Sequence, residues 1–420
     1  MSGRTPLLAL ASAAVASIGG TRLSAIAIPW LVLTTTGSPV LTGVVALCEM
    51  LPYVLAKALS GPLIDRIGAR RIAIWCDWCS AVAVALIPAL FWAGLMSFPV
   101  LLPAVALLGV LRAPADAAKQ ALVPAVAAIG KLPLERVTGV VGASERLAGT
   151  LGAAGAGALI GLVGPVPALL VNAATFLLSA AIIGLGVPPA AAPPKPDPAN
   201  IPSTYRAELV AGWQVLRTDT VLMSLVVMIA FTNLFDQAYA IVLLPVWVRN
   251  AGLDVTWVGI FFAVFSGASI LGATVAAIFG ERLPRLLLYT IGFLCAGPLP
   301  MAVFALDLAV PQILTVLPLA GFAAGFLNPI VGAILFERIP APMVGRVIAL
   351  VGALTWCLIP FGGLYAGVLV DNFGVFMALG TTGLLYLLAT LAPVALPGFR
   401  QMDRRQAVQT AISTGASGQN

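Results

Sequence analysis

The sequence predicts an all-α, polytopic membrane protein of twelve transmembrane helices in two pseudo-symmetric six-helix bundles. Three observations carry that prediction. Hydrophobic residues make up 60% of the 420-residue chain and charged residues 9%, a balance that no soluble domain of this length sustains. Twelve apolar runs follow one another, each near the ~20 residues needed to cross a bilayer. A single proline-rich polar stretch divides them into two sets of six.

The runs span 7–35, 40–60, 71–94, 97–116, 137–161 and 163–187, then 220–247, 255–279, 285–306, 311–336, 346–370 and 374–396. The first follows a single cation, Arg4, and is too long for a signal-peptide core, so it reads as a retained helix. Between the second and third lies GPLIDRIGARR (61–71), read as a tight charged turn. There Gly61 and Gly68 free the backbone, Pro62 perturbs the incoming helix, and Asp65, Arg66, Arg70 and Arg71 stand at the water boundary. The connections after the odd-numbered runs hold one cation, Arg249. The opposite side holds seventeen, Arg66, Arg70, Arg71, Lys119, Lys131 and Arg136 among them. By the positive-inside rule that side is cytoplasmic, and both termini lie on it. The net charge of +6 thus has a topological origin and implies no nucleic-acid partner.

The domain reading is a first bundle over 1–187, a cytoplasmic linker with an amphipathic helix over 188–219, a second bundle over 220–397 and a polar tail over 398–420. Within the linker, Leu209, Trp213 and Leu216 share one helical face. They suit either a helix along the membrane surface or an extension of the seventh run. The halves are related by sequence. At an offset of 210, Arg136 falls on Arg346, Val137 on Val347, Gly142 on Gly352, Gly152 on Gly362, Gly157 on Gly367 and Gly164 on Gly374, while Pro29 and Gly43 have the spacing of Pro245 and Gly259. Parallel six-helix repeats are the mark of a two-bundle transporter with its site between the halves.

Five cysteines (Cys48, Cys76, Cys79, Cys295, Cys357) fall in apolar runs and read as small hydrophobes. Cys76 and Cys79 have CxxC spacing, but there is no second pair and no histidine, so no metal or cofactor is expected. No phosphate-binding GxxxxGK[ST] occurs, and no enzymatic activity is expected.

With these residues in view, the chain resembles the major facilitator superfamily. GPLIDRIGARR is similar to that superfamily's loop between helices 2 and 3, with Ile64 and Ala69 departing from it. IAIPWLVLTTTGSPVLTG (26–43), NAATFLLSA (172–180) and VGRV (344–347) are similar to the drug:proton antiporter-3 branch, which includes macrolide efflux proteins and the enterobactin exporter. Thr21 stands where that branch is expected to carry an aspartate. The resemblance implies a monomer in a bacterial cytoplasmic (inner) membrane, acting on a small-molecule substrate and protons within the lipid bilayer.

Charges inside the membrane are functional candidates, because a central charge costs ~2.5 to 3.5 kcal/mol on insertion scales. Arg22 lies near the middle of the first run, Glu49 in the outer half or middle of the second, and Asn233 and Asp236 one turn apart in the seventh. The resemblance implies that helices 1, 4, 7 and 10 line the cavity, which makes Arg22, Asp236 and Asn328 cavity candidates. Glu49 and Asp236 are expected proton carriers with Arg22 as the charge they compete for; alternatively Arg22 and Glu49 form a fixed ion pair. A second group, Asp77, Arg112, Asp116, Glu145 and Arg146, reads as a cytoplasmic gate acting with Gly61, Asp65, Arg66, Gly68 and Arg70 and facing Gly345 and Arg346 of the eleventh helix. The alternative is a set of interfacial charges. Function is expected to be proton-coupled export of hydrophobic or amphipathic molecules. The alternatives are a siderophore or metabolite exporter and a non-transporting receptor or assembly partner.

Overall fold

The computed structural model describes residues 5–189, 205–279, 285–339 and 344–395. Among them every regular element is helical. The first six runs form α1 (Thr5–Thr36), α2 (Pro39–Ile67), α3 (Ala69–Trp92), α4 (Phe98–Gly130), α5 (Leu134–Val163) and α6 (Pro165–Gly186). A separate helix, α7 (Tyr205–Thr218), precedes the second half. There the seventh run is α8 (Thr220–Ala238), a π-helical turn (Tyr239–Leu243) and α9 (Leu244–Asn250), and the eighth is α10 (Thr256–Phe279). The ninth is α11 (Arg285–Ala296) with α12 (Pro298–Ala305), and the tenth α13 (Val310–Gly325) with α14 (Leu327–Arg338). The eleventh is α15 (Val344–Trp356) with α16 (Ile359–Phe373), and the twelfth is α17 (Val375–Ala395). Among the described residues, eleven helical stretches are long and apolar enough to cross a membrane, and α17 contributes a shorter apolar one, Val375–Leu391.

The expected turn at 61–71 is shorter than its sequence suggests. Helix α2 continues to Ile67, and Gly68 alone separates it from α3, with φ 96° and ψ 134°. A side chain at that φ would be strained, so one glycine does the work of a loop. The fourth run likewise outlasts its expected end at 116 and reaches Gly130 as α4, with Lys119 on a helix rather than in a connection. Hydropathy failed there because the charges are neutralised inside the bundle. Helix α7 is distinct from the seventh run: Asp219 accepts the N–H groups of Val221 and Leu222 and caps α8. Leu216 of α7 is buried with Leu222, Val347 and Val351. Residues 190–204 of the linker and the tail 398–420 lie outside the described residues.

Two seams join the halves, α2 against α16 and α5 against α10. Each is built on missing side chains. A Cβ on Gly43 would collide with the Gly363 carbonyl, and one on Gly157 would stand 2.7 Å from the Cα of Gly259. Both seams sit at the end of the molecule that carries the turns at Gly37, Gly164 and Gly374. Toward the other end, which carries Gly68 and Lys131, the halves part around a cavity of about 980 Å³. The molecule is therefore closed at one end and open at the other.

Candidate functional site

The first-half wall of the cavity starts from one contact between α2 and α4. Gly109 presses on the backbone of α2 so closely that a Cβ there would collide with the Glu49 carbonyl oxygen. One turn further along α4, Arg112 therefore reaches Glu49, with Nη1 2.7 Å from Oε1 and both side chains almost fully buried. Successive turns repeat the pairing, since residues at i and i+4 stack on one helical face. Tyr53, a turn beyond Glu49, lies under the Arg112 guanidinium at 4.7 Å and donates its hydroxyl to Asp116 at 3.0 Å. Lys57, a turn beyond Tyr53, lies over the ring of Trp356 at 4.5 Å and so touches the other half.

A second knot lies further along α4, with Ser17 and Lys119 also on the cavity wall. Lys119 of α4 donates to Asp77 of α3 at 2.9 Å and to Ser17 of α1 at 2.7 Å, and Ser179 of α6 donates to the other Asp77 oxygen at 2.6 Å. All four side chains are buried. Four helices of the first half are thus tied at one ion pair. Desolvation of that pair is offset only because each charge has both an opposite charge and a hydroxyl.

Several expected placements change. The pair Arg22–Glu49 does not form, because the Gly109 contact gives Glu49 to Arg112. Arg22 instead extends into the cavity along α5, where a Cβ on Gly149 would stand 3.5 Å from its Nη2. Asp77, Arg112 and Asp116, expected to bridge the halves as a gate, are engaged within the first half. Glu145 and Arg146 line the cavity from α5. Arg70 turns inward and donates from Nε to the Val187 carbonyl at 2.6 Å and from Nη2 to the Gly184 carbonyl, satisfying the C-terminal end of α6. Gly61 and Arg66 are exposed on the last turns of α2, and Gly345 and Arg346 fall in the first turn of α15. The side chains of Asp65 and Arg346 lie outside the described residues, so their contact across the halves stays an expectation.

In the second half, Asn233 donates to the Thr355 carbonyl at 2.9 Å, an acceptor left free where α15 ends. Asn328, next to the break between α13 and α14, lines the main cavity. Asp236 does not. It faces a side chamber of about 530 Å³ walled entirely by second-half residues, and shares a hydrogen bond with Tyr386. The π turn begins at Tyr239, the residue one turn after Asp236, and also lines the chamber. The two spaces connect, since Gln237, Phe265, Ser266, Ser269 and Asn328 border both.

Sequence reasoning missed Tyr53, Lys57, Lys119 and Trp356 as site residues. For Lys119 a signal existed: Arg112, Asp116 and Lys119 recur at i, i+4 and i+7, the spacing of one helical face. For Trp356 there was none, because its partner lies 299 residues away and only the fold brings them together.

The chain matches the model of the Major Facilitator Superfamily over residues 10–363 and 226–411. It is 28% identical over 407 residues to the multidrug efflux pump Tap of Mycolicibacterium fortuitum, covering 95% of this chain and 98% of that one. To Tap of Mycobacterium tuberculosis (strain ATCC 25618 / H37Rv) it is 28% identical over 406 residues, covering 96% of each. Among solved structures, the nucleoside transporter NupG superposes with a TM-score of 0.71 at 13% identity, over 96% of this chain and 100% of that one. The inward-facing, unoccupied form of a bacterial homolog of the human lysosomal transporter Spinster gives 0.70 at 15% identity, over 96% and 97%. At such identities the two structures bear on the fold alone.

Proposed function

The chain belongs to the Major Facilitator Superfamily and is a multi-pass membrane transporter, and from that premise we propose that it is a proton antiporter exporting hydrophobic or amphipathic small molecules by alternating access. The observation that carries the reading is the buried Arg112–Glu49 pair on the wall of a cavity closed at one end. A carboxylate held by one cation is a switch: protonation removes the attraction, and Arg112 is left to Tyr53 and to the neighbouring Asp116. A proton arriving at Glu49 in one state and leaving in the other couples its flux to the rocking of the halves. In this reading the open end is cytoplasmic, in keeping with the cation bias of its connections, and the membrane is the bacterial inner membrane. The Tap relatives, multidrug efflux pumps by name, support export and broad specificity.

Proteoliposomes with an imposed pH gradient, screened over a compound panel, test the proposal. Wild type is expected to move substrate uphill. Glu49→Gln, which keeps shape and removes titration, is expected to abolish uphill transport while sparing downhill exchange. Normal gradient-driven transport by that variant would end the role of Glu49. A second reading, export of an anionic metabolite, is favoured by Arg22, which enters the cavity opposite no carboxylate partner among the described residues. Loss of transport of anions alone in Arg22→Gln would select it.

A further inference from the structure

We propose that the side chamber of the second half is a binding site for monovalent organic cations with an apolar body, in which Asp236 receives the cationic head. This deepens the exporter reading and rests on it for its physiological use. The chamber's volume of about 530 Å³ is that of a small-ligand pocket. Asp236 is the one formally charged residue lining it among the described residues, and no lysine or arginine faces it. The Asp236 carboxylate is open to the chamber, with the Tyr386 hydroxyl as a hydrogen-bond partner and no cation beside it. The site is therefore short of one positive charge, which a ligand supplies.

The walls select what carries that charge. Tyr239, Phe261, Phe262, Phe265, Phe293 and Tyr386 line the chamber, and aromatic faces attract cations as well as bury apolar groups. The mouth, where polar Gln237, Ser266, Ser269 and Asn328 border both spaces alongside apolar Phe262 and Phe265, carries no charged residue, so a cation passes without displacing an ion pair. The opposite wall works the other way. Five cations and three carboxylates line the main cavity, and two of those carboxylates are already engaged, Glu49 by Arg112 and Asp116 by Tyr53. A cationic ligand is thus directed toward the second half, and an anionic one away from it.

The test is equilibrium binding of radiolabelled tetraphenylphosphonium to the full-length protein purified in detergent, with tetraphenylborate as a competitor of the same shape and opposite charge. Tetraphenylphosphonium is expected to bind and tetraphenylborate not to displace it. Asp236→Asn is expected to weaken binding by roughly tenfold or more, the scale of a single ion pair in a partly screened site, with Asp236→Glu restoring most of it. Ser266→Trp, which fills the mouth and leaves the charge, is expected to block binding as well, and decides the matter should Asp236→Asn fail to fold. Unchanged affinity in both variants, equal competition by tetraphenylborate, or loss of binding through Glu145→Gln rather than Asp236→Asn would overturn the proposal. Binding needs no transport, so the two readings fail separately. Cation binding at Asp236 without flux in proteoliposomes removes the exporter and keeps the site; export of neutral compounds without cation binding does the reverse.

Discussion

Asp77 is the most enclosed carboxylate among the described residues of the first half, fully buried and facing Lys119. Removing either partner strands the other charge, which for buried pairs costs about 3 to 5 kcal/mol, whereas replacing both by neutral groups of similar volume is close to neutral. Lys119→Met and Asp77→Asn are each expected to lower thermal stability in detergent sharply, and the double variant to recover most of the loss. Fluorescence-detected melting reads this directly. If the single variants melt like wild type but change cysteine accessibility at the open end, Asp77 belongs to a gate as its sequence position suggested. Asp77 on the third helix and Arg112 and Asp116 on the fourth were legible in the sequence, but not whom they face. Pairing depends on how closely α2 approaches α4, which the small side of Gly109 sets and no hydropathy profile records.

At the scale of elements, the sequence repeat and the seams coincide. Gly43 and Gly259 hold equivalent positions in the two halves by their spacing from Pro29 and Pro245, and Gly157 and Gly367 match at the offset of 210. These are the residues of the seams: Gly43 meets Gly363, Gly157 meets Gly259, and Gly367 meets the backbone of Pro39 and Val40. Duplicated glycines thus form two equivalent close approaches, a relation legible in the sequence as a repeat but not as a contact. What the sequence did not give away is the asymmetry of the halves. Helices α11/α12, α13/α14 and α15/α16 are interrupted, and Pro298 and Pro360 restart two of them. A bulky residue in a seam should open the closed end. In a cysteine-free background, spin labels at Thr35→Cys and Asn372→Cys, exposed on the two halves there, are expected to move apart when Gly43→Leu is added. An unchanged distance distribution would mean that the seam yields by local repacking instead.

Across the whole molecule, charge and aromaticity are divided between the halves, and so is the work of holding them together. The described contacts between halves concentrate in the two seams, with Lys57 over Trp356 as a side-chain bridge further toward the open end. Such an interface must be weak enough to open during transport, so we propose that the proline-rich segment 190–204 keeps the halves at a high effective concentration. A covalent link between two associating parts supplies on the order of millimolar effective concentration, and loses its effect once cut. Two fragments, 1–189 and 205–420, expressed together are expected to reassociate and copurify through a tag on one of them. The same Gly43→Leu substitution should then be tolerated in the intact chain, where it only shifts the distance between labels, and should sharply reduce copurification of the fragments, where no tether compensates for the lost seam. Fragments that copurify equally well with and without the substitution would place the holding contacts elsewhere than the glycine seams.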